Sequence, residues 1–170
     1  MRNQLNTAVL DAPAGNKQEI KHRYVEALTL IERLHRRLLD VIKDEFERQG
    51  EPEVNPVQAL LLFNIGDAEL TAGELKTRGH YQGSNVSYNL KKLVEAGYVN
   101  HERSNSDKRS VRVRLTPRGQ EIRKKVDALY NRQVLSITDV AGLPAEEFDR
   151  LNKALGRLER FWTDQILYRL

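Results

Sequence analysis

The stretch Asp107-Lys108-Arg109-Ser110-Val111-Arg112-Val113-Arg114-Leu115-Thr116-Pro117-Arg118-Gly119 decides how the whole chain is read. From Val111 to Leu115, apolar residues and arginines alternate strictly, the period of a strand with one buried and one solvated face. Thr116 and Pro117 then pair a helix N-cap with a proline at the first helical position, so a helix opens at once. Upstream, Tyr98 to Arg103 is a second extended run, and Ser104-Asn105-Ser106-Asp107 between the two has turn composition. The segment reads as a β-hairpin with arginines on its outer face, and Asp107 can pair with Arg109 across the turn and hold its tip in shape.

Working outward, Gly97 ends a helix that Ser84 is expected to cap, and Gly79 and Gly83 bracket a turn before it. Thr71-Ala72-Gly73-Glu74 has capping-box spacing, predicting a short helix through about Thr77. Helix, glycine-containing turn and helix make a helix-turn-helix, and the hairpin that follows is a wing. Before this unit, Asn55 and Pro56 open a helix over 57–65 that Gly66 stops. Residues 17–49 run without Gly or Pro, with Ala27, Ile31, Leu34, Leu38 and Val41 at amphipathic spacing. Beyond it, the helix from 117 reaches about 140. After Gly142 and Pro144, a last helix carries Phe148, Leu151, Leu155, Leu158 and Trp162 at spacings of three and four, the seam of a coiled-coil-like contact.

Projection of residues 84–97 at about 100° per residue turns Val86, Leu90, Leu93 and Val94 to a core. Ser84, Asn85, Ser87, Tyr88, Lys91 and Lys92 then fall outward or to the flanks. The early positions suit base edges, since hydroxyls and amides exchange hydrogen bonds there and a tyrosine ring can meet thymine methyls. Lys91 and Lys92 suit phosphates, for which a flexible point charge suffices. In the wing, Arg109 suits a narrow minor groove, with Arg103, Lys108 and Arg112 on the flanking phosphates. Charge agrees with this placement: residues 76–125 hold 13 Lys and Arg against 4 Asp and Glu, a net of +9, although the chain carries only +4. A basic block in an otherwise acidic chain is the footprint of a surface that displaces counterions from double-stranded DNA.

Other classes of function find no foothold. The chain has no cysteine, which removes disulfides, thiolate zinc sites and thiol-based sensing. His22, His35, His80 and His101 lack ligand spacing, so neither a metal nor another cofactor is expected. Nucleophile elbow, P-loop, GxGxxG and zinc-protease motifs are missing, and the protein is not expected to be an enzyme. No apolar run reaches the roughly 18 residues of a membrane span, and residues 1–16 lack a secretory signal. A cytoplasmic, nucleoid-associated protein is expected.

The run from Asp107 to Gly119, together with Leu93-Val94-Glu95-Ala96-Gly97-Tyr98-Val99 before the wing, resembles the signature of the MarR family of winged-helix regulators. The resemblance covers about residues 17–168, and within the family it runs nearest to the LdtR-type regulators, which are linked to cell-wall transpeptidase genes. It implies a homodimer whose first and last helices interlock, two winged domains on a palindromic site, and a small-molecule effector, here expected to be aromatic. The expected class is mainly α with a small β-hairpin wing (α+β). Its parts are a flexible leader (1–16), an N-terminal dimerisation helix (17–50), a winged helix-turn-helix (55–116) and C-terminal dimerisation helices (117–170). Ile31, Leu34, Leu151, Leu155, Leu158 and Trp162 are the expected dimer contacts. Ile42, Phe46, Leu61, Leu62 and Phe63 could line an effector pocket, although apolar residues at helical spacing more often serve ordinary packing. The alternative for the same fold is a module that binds another protein, against which the outward basic residues of both helix and wing argue.

Overall fold

The computed structural model describes residues 14–50, 53–67, 69–71, 74, 83–103 and 111–168. Its elements are α1 (Ala14–Arg48), α2 (Pro56–Ile65), β1 (Leu70–Thr71), α3 (Gly83–Glu95), β2 (Val99–Arg103), β3 (Val111–Leu115), α4 (Pro117–Ala141) and α5 (Ala145–Tyr168). They fall into two compact units, Met1–Leu60 and Leu61–Leu170.

In the first unit α1 is longer at its start than the spacing predicts. Ion pairs one turn apart line its exposed side, Arg23 with Glu19 at 2.8 Å and Lys43 with Glu47 at 3.7 Å. The predicted apolar stripe is not where burial occurs. Leu34 is 64% exposed and Val41 38%, while Ile42 and Phe46 near the C-terminal end are buried. The single chain thus buries only the end of this helix and leaves its amphipathic middle uncovered. Glu45 is buried as well, and its carboxylate accepts from Arg48 and Gln49. Asn55 caps α2 as predicted: its side-chain oxygen accepts from Gln58 N at 2.9 Å, and Gln58 Oε1 accepts from Asn55 N at 3.2 Å.

In the second unit, the strands among the described residues form an antiparallel sheet of order β1-β3-β2. β2 pairs with β3 from Val99 opposite Leu115 to Arg103 opposite Val111, the hairpin that the alternation predicts. β1 is an addition that sequence pattern missed, because two residues carry no periodicity; it pairs Leu70 with Val113 and Thr71 with Arg112. The register places Leu70, Val99, Val113 and Leu115 on one face, all buried, and Asn100, Glu102, Arg112 and Arg114 on the other, all exposed. Leu90 and Leu93 of α3 and Ile122, Val126 and Leu129 of α4 complete the core of this unit. The capping box is present: Glu74 N donates to Thr71 Oγ1 at 3.1 Å and Thr71 N to Glu74 Oε2 at 2.7 Å. The rest of its predicted helix and the turn at 79–82 lie outside the described residues. One boundary needs correction: Gly83 is already helical, so Ser84 is the second residue of α3 rather than its cap. A helix terminus tolerates glycine and shifts by a residue more easily than its interior, so the helix begins one residue earlier.

Candidate nucleic-acid interface

The interface is built on α3. Its inner side is fixed by Leu90 and Leu93, which are buried, with Val94 half-buried beside them. A helix anchored on that stripe must present positions 87, 88, 91 and 92 elsewhere, and Ser87, Tyr88, Lys91 and Lys92 are all exposed, Tyr88 to 63%. A tyrosine ring left this open gains little from the fold itself and is a ready contact surface. Both lysines lean toward Glu95 at the helix end, Lys91 at 3.8 Å and Lys92 at 3.3 Å. Exposed pairs of this kind contribute about 0–1 kcal/mol, so a phosphate can take the lysines over. Ser84 and Asn85 stand in the first turn of the same helix.

The second component is the solvent face of the sheet. Arg112 meets Glu69, which precedes β1, at 3.5 Å, both side chains about half exposed. Of the arginines on this face it is thus the one already held by a carboxylate. Arg114 is exposed on the same face and has no ion pair among the described residues. Sequence reading passed over Arg114 although the alternation that exposes Arg112 exposes it equally. Arg103 ends β2 at the entrance to the wing. Asp107, Lys108 and Arg109, the predicted tip, lie outside the described residues.

The expected dimer contacts sit on the surface of the single chain. No residue of α5 is buried; Leu151, Leu155 and Trp162 are 45, 40 and 36% exposed, and Leu158 is half-buried, as is Ile31 of α1. Of the residues assigned to an effector pocket, Ile42, Phe46, Leu61 and Leu62 are buried, while Phe63 is half-buried with its ring edge-on to Tyr130, centroids 5.1 Å apart. A separate groove of about 430 Å³ opens where α4 turns into α5, lined by Tyr130, Val134, Ile137, Leu143 and Phe148. Among the described residues no helix is long and apolar enough to cross a membrane.

An exposed polar helix face, anchored from behind and followed by an antiparallel hairpin with cationic residues on its open side, defines a winged helix-turn-helix protein. Residues 54–119 match the winged helix DNA-binding domain family. The chain is similar to the exopolysaccharide II synthesis transcriptional activator ExpG of Rhizobium meliloti, 38% identical over 122 residues that cover 71% of this chain and 63% of that protein. It therefore spans less than two thirds of that relative's length. Among solved structures it is similar to a mutant MarR of E. coli complexed with operator DNA, with a TM-score of 0.64 and 23% identity over 80% of this chain and 95% of that one. Another is BpsR of Bordetella bronchiseptica, whose DNA binding is regulated by 6-hydroxynicotinic acid, with a TM-score of 0.62 and 16% identity over 77 and 91% of the two chains. The chain carries a winged-helix DNA-binding domain and shares its fold with the solved MarR structure.

Proposed function

We propose that this protein is a cytoplasmic, nucleoid-associated transcriptional regulator that binds a palindromic double-stranded DNA site as a homodimer and responds to a small aromatic effector. The observation that carries the reading is the open face of α3: Ser87, Tyr88, Lys91 and Lys92 are left uncovered by a helix whose other side is locked into the core. Those residue types suit base edges and phosphates, and the wing region adds the charge that pulls the duplex in. The homodimer is supported by α5, an amphipathic helix of 24 residues without a single buried side chain. A helix with so much apolar surface in water is stabilised by covering that surface, and a second copy offers a matching one. The effector is supported by the resemblance in fold to BpsR and by Leu61, Leu62 and Phe63 of α2, apolar residues of the kind that line ligand sites, with Ile42 and Phe46 of α1 as separate candidates.

The test is selection from sheared genomic DNA with the purified protein at several salt concentrations, followed by sequencing of the retained fragments. An enriched inverted repeat is expected, with an affinity that falls with log salt at a slope near −0.9 per phosphate contacted. Retention without any enriched palindrome refutes the reading and favours a nonspecific or protein-binding module. A thermal-shift screen of small aromatic acids with the same protein tests the effector, for which a saturable rise in melting temperature is expected.

A further inference from the structure

α3 ends in a way that ties it to α4, the helix beyond the two strands of the hairpin. Gly97, at a φ of 77°, turns the chain in the left-handed region, with Gly97 N donating to Val94 O at 3.0 Å and Tyr98 N to Leu93 O at 2.9 Å. The carbonyls of Ala96, Gly97 and Tyr98 run off the helix end, where a carbonyl needs an outside partner. All three are taken by the start of α4. Arg118 Nη1 donates to Ala96 O at 2.9 Å, Thr116 Oγ1 to Gly97 O at 2.8 Å, and Thr116 N to Tyr98 O at 3.1 Å. The Arg118 guanidinium also lies over the ring of buried Tyr98, 4.3 Å from its centroid. Its charge faces the negative end of the α3 dipole.

We infer that Arg118, with Thr116 beside it, is a positioning residue that makes α3 and α4 one rigid piece, so that α4 sets the direction of the DNA-reading helix and hence the half-site spacing the protein accepts. The inference rests on the homodimeric DNA-binding reading above. Its leverage is geometric. α3 has 13 residues, about 20 Å at 1.5 Å per residue, so a swing of about 10° at its C-terminal end moves its far end by about 3.4 Å, the rise of one base pair. A joint made by a single backbone hydrogen bond could yield that far. A joint in which three successive carbonyls are held, two of them by the side chains of Arg118 and of the α4 cap Thr116, resists it.

The experiment uses the full chain and synthetic duplexes carrying the selected half-site as an inverted repeat, with the natural spacer or with one or two added base pairs. The wild-type protein is expected to lose about tenfold or more in affinity for one added pair, comparable with one mismatched base pair. Arg118→Ala is expected to narrow that ratio to about threefold or less, while Arg118→Lys, which keeps a charged donor for Ala96 O, retains most of it. An unchanged ratio in Arg118→Ala overturns the inference. So does a uniform loss at every spacing with a shallower salt dependence, which would make Arg118 a phosphate contact. Hydrogen exchange tests the joint without DNA: Arg118→Ala should speed exchange at the Thr116 and Gly119 amides and leave α5 unchanged, and equal rates refute the joint. A wild-type protein that selects no palindrome defeats the regulatory reading instead, and the exchange experiment still decides the joint.

Discussion

Gly119→Ala is the perturbation whose outcome the structure determines most sharply, because two effects of opposite sign meet there. Within a helix, alanine is favoured over glycine by about 0.8–1.0 kcal/mol, so propensity alone makes the variant more stable. At Gly119, however, an added Cβ would fall 2.1 Å from Tyr98 O, 3.2 Å from Tyr98 C and 3.4 Å from Leu115 Cβ. The first of these is a backbone carbonyl, and that same oxygen accepts from Thr116 N at 3.1 Å. Relief requires the turn after α3 to move by about 1 Å, which strains packing by about 1–3 kcal/mol and weakens a hydrogen bond contributing about 1 kcal/mol. The clash outweighs the propensity, and a net loss of about 1–3 kcal/mol is expected. Urea unfolding followed by circular dichroism, at matched protein concentration, measures it. Gly156→Ala on α5 is the control of opposite sign: nothing lies within 4 Å of its Cβ position, so a gain of about 0.5–1 kcal/mol is expected. A Gly119→Ala protein as stable as wild type would show that α4 does not approach Tyr98 as closely as described.

Three further outcomes are expected. Glu69→Gln releases Arg112 from its ion pair and should raise DNA affinity a few-fold with a steeper salt dependence, at a stability cost under about 1 kcal/mol; unchanged affinity would place Arg112 away from DNA. Tyr88→Ala should alter which sequences are selected, whereas Lys91→Ala should weaken binding to all of them and lower the salt slope by about 1; identical selection by Tyr88→Ala would remove that ring from base reading. Leu155→Asp places a charge in the proposed seam of α5 and should shift the sedimentation profile toward monomer while the far-ultraviolet spectrum is kept. An unmoved profile would put the dimer contact elsewhere.

The legibility of these features differed with their physical origin. The β2–β3 hairpin, the caps at Asn55, Thr71 and Thr116, and the glycine stop at Gly97 each depend on a few adjacent residues, and each was readable before any fold was known. The outward face of α3 was equally open, because a period of 3.6 leaves no choice once Leu90 and Leu93 are inside. By contrast, two residues cannot announce a strand, so β1 and the pairing of Glu69 with Arg112 that it brings were invisible. The stripe on α1 is legible as apolar, but hydropathy tells that a surface seeks cover and not whether the same chain supplies it.

Sequence by itself determined the class: local alternation, capping residues and the basic block suffice because each acts over one turn or one hairpin. Tertiary structure alone decided how the DNA-reading helix is held. Thr116 and Arg118 stand 19 and 22 residues from the carbonyls they bind, a separation over which neither periodicity nor capping chemistry carries information. Folding closes that distance because buried Tyr98, Val99 and Leu115 bring the two ends of the hairpin together, and only then can the orphan carbonyls of one helix find donors at the start of the next.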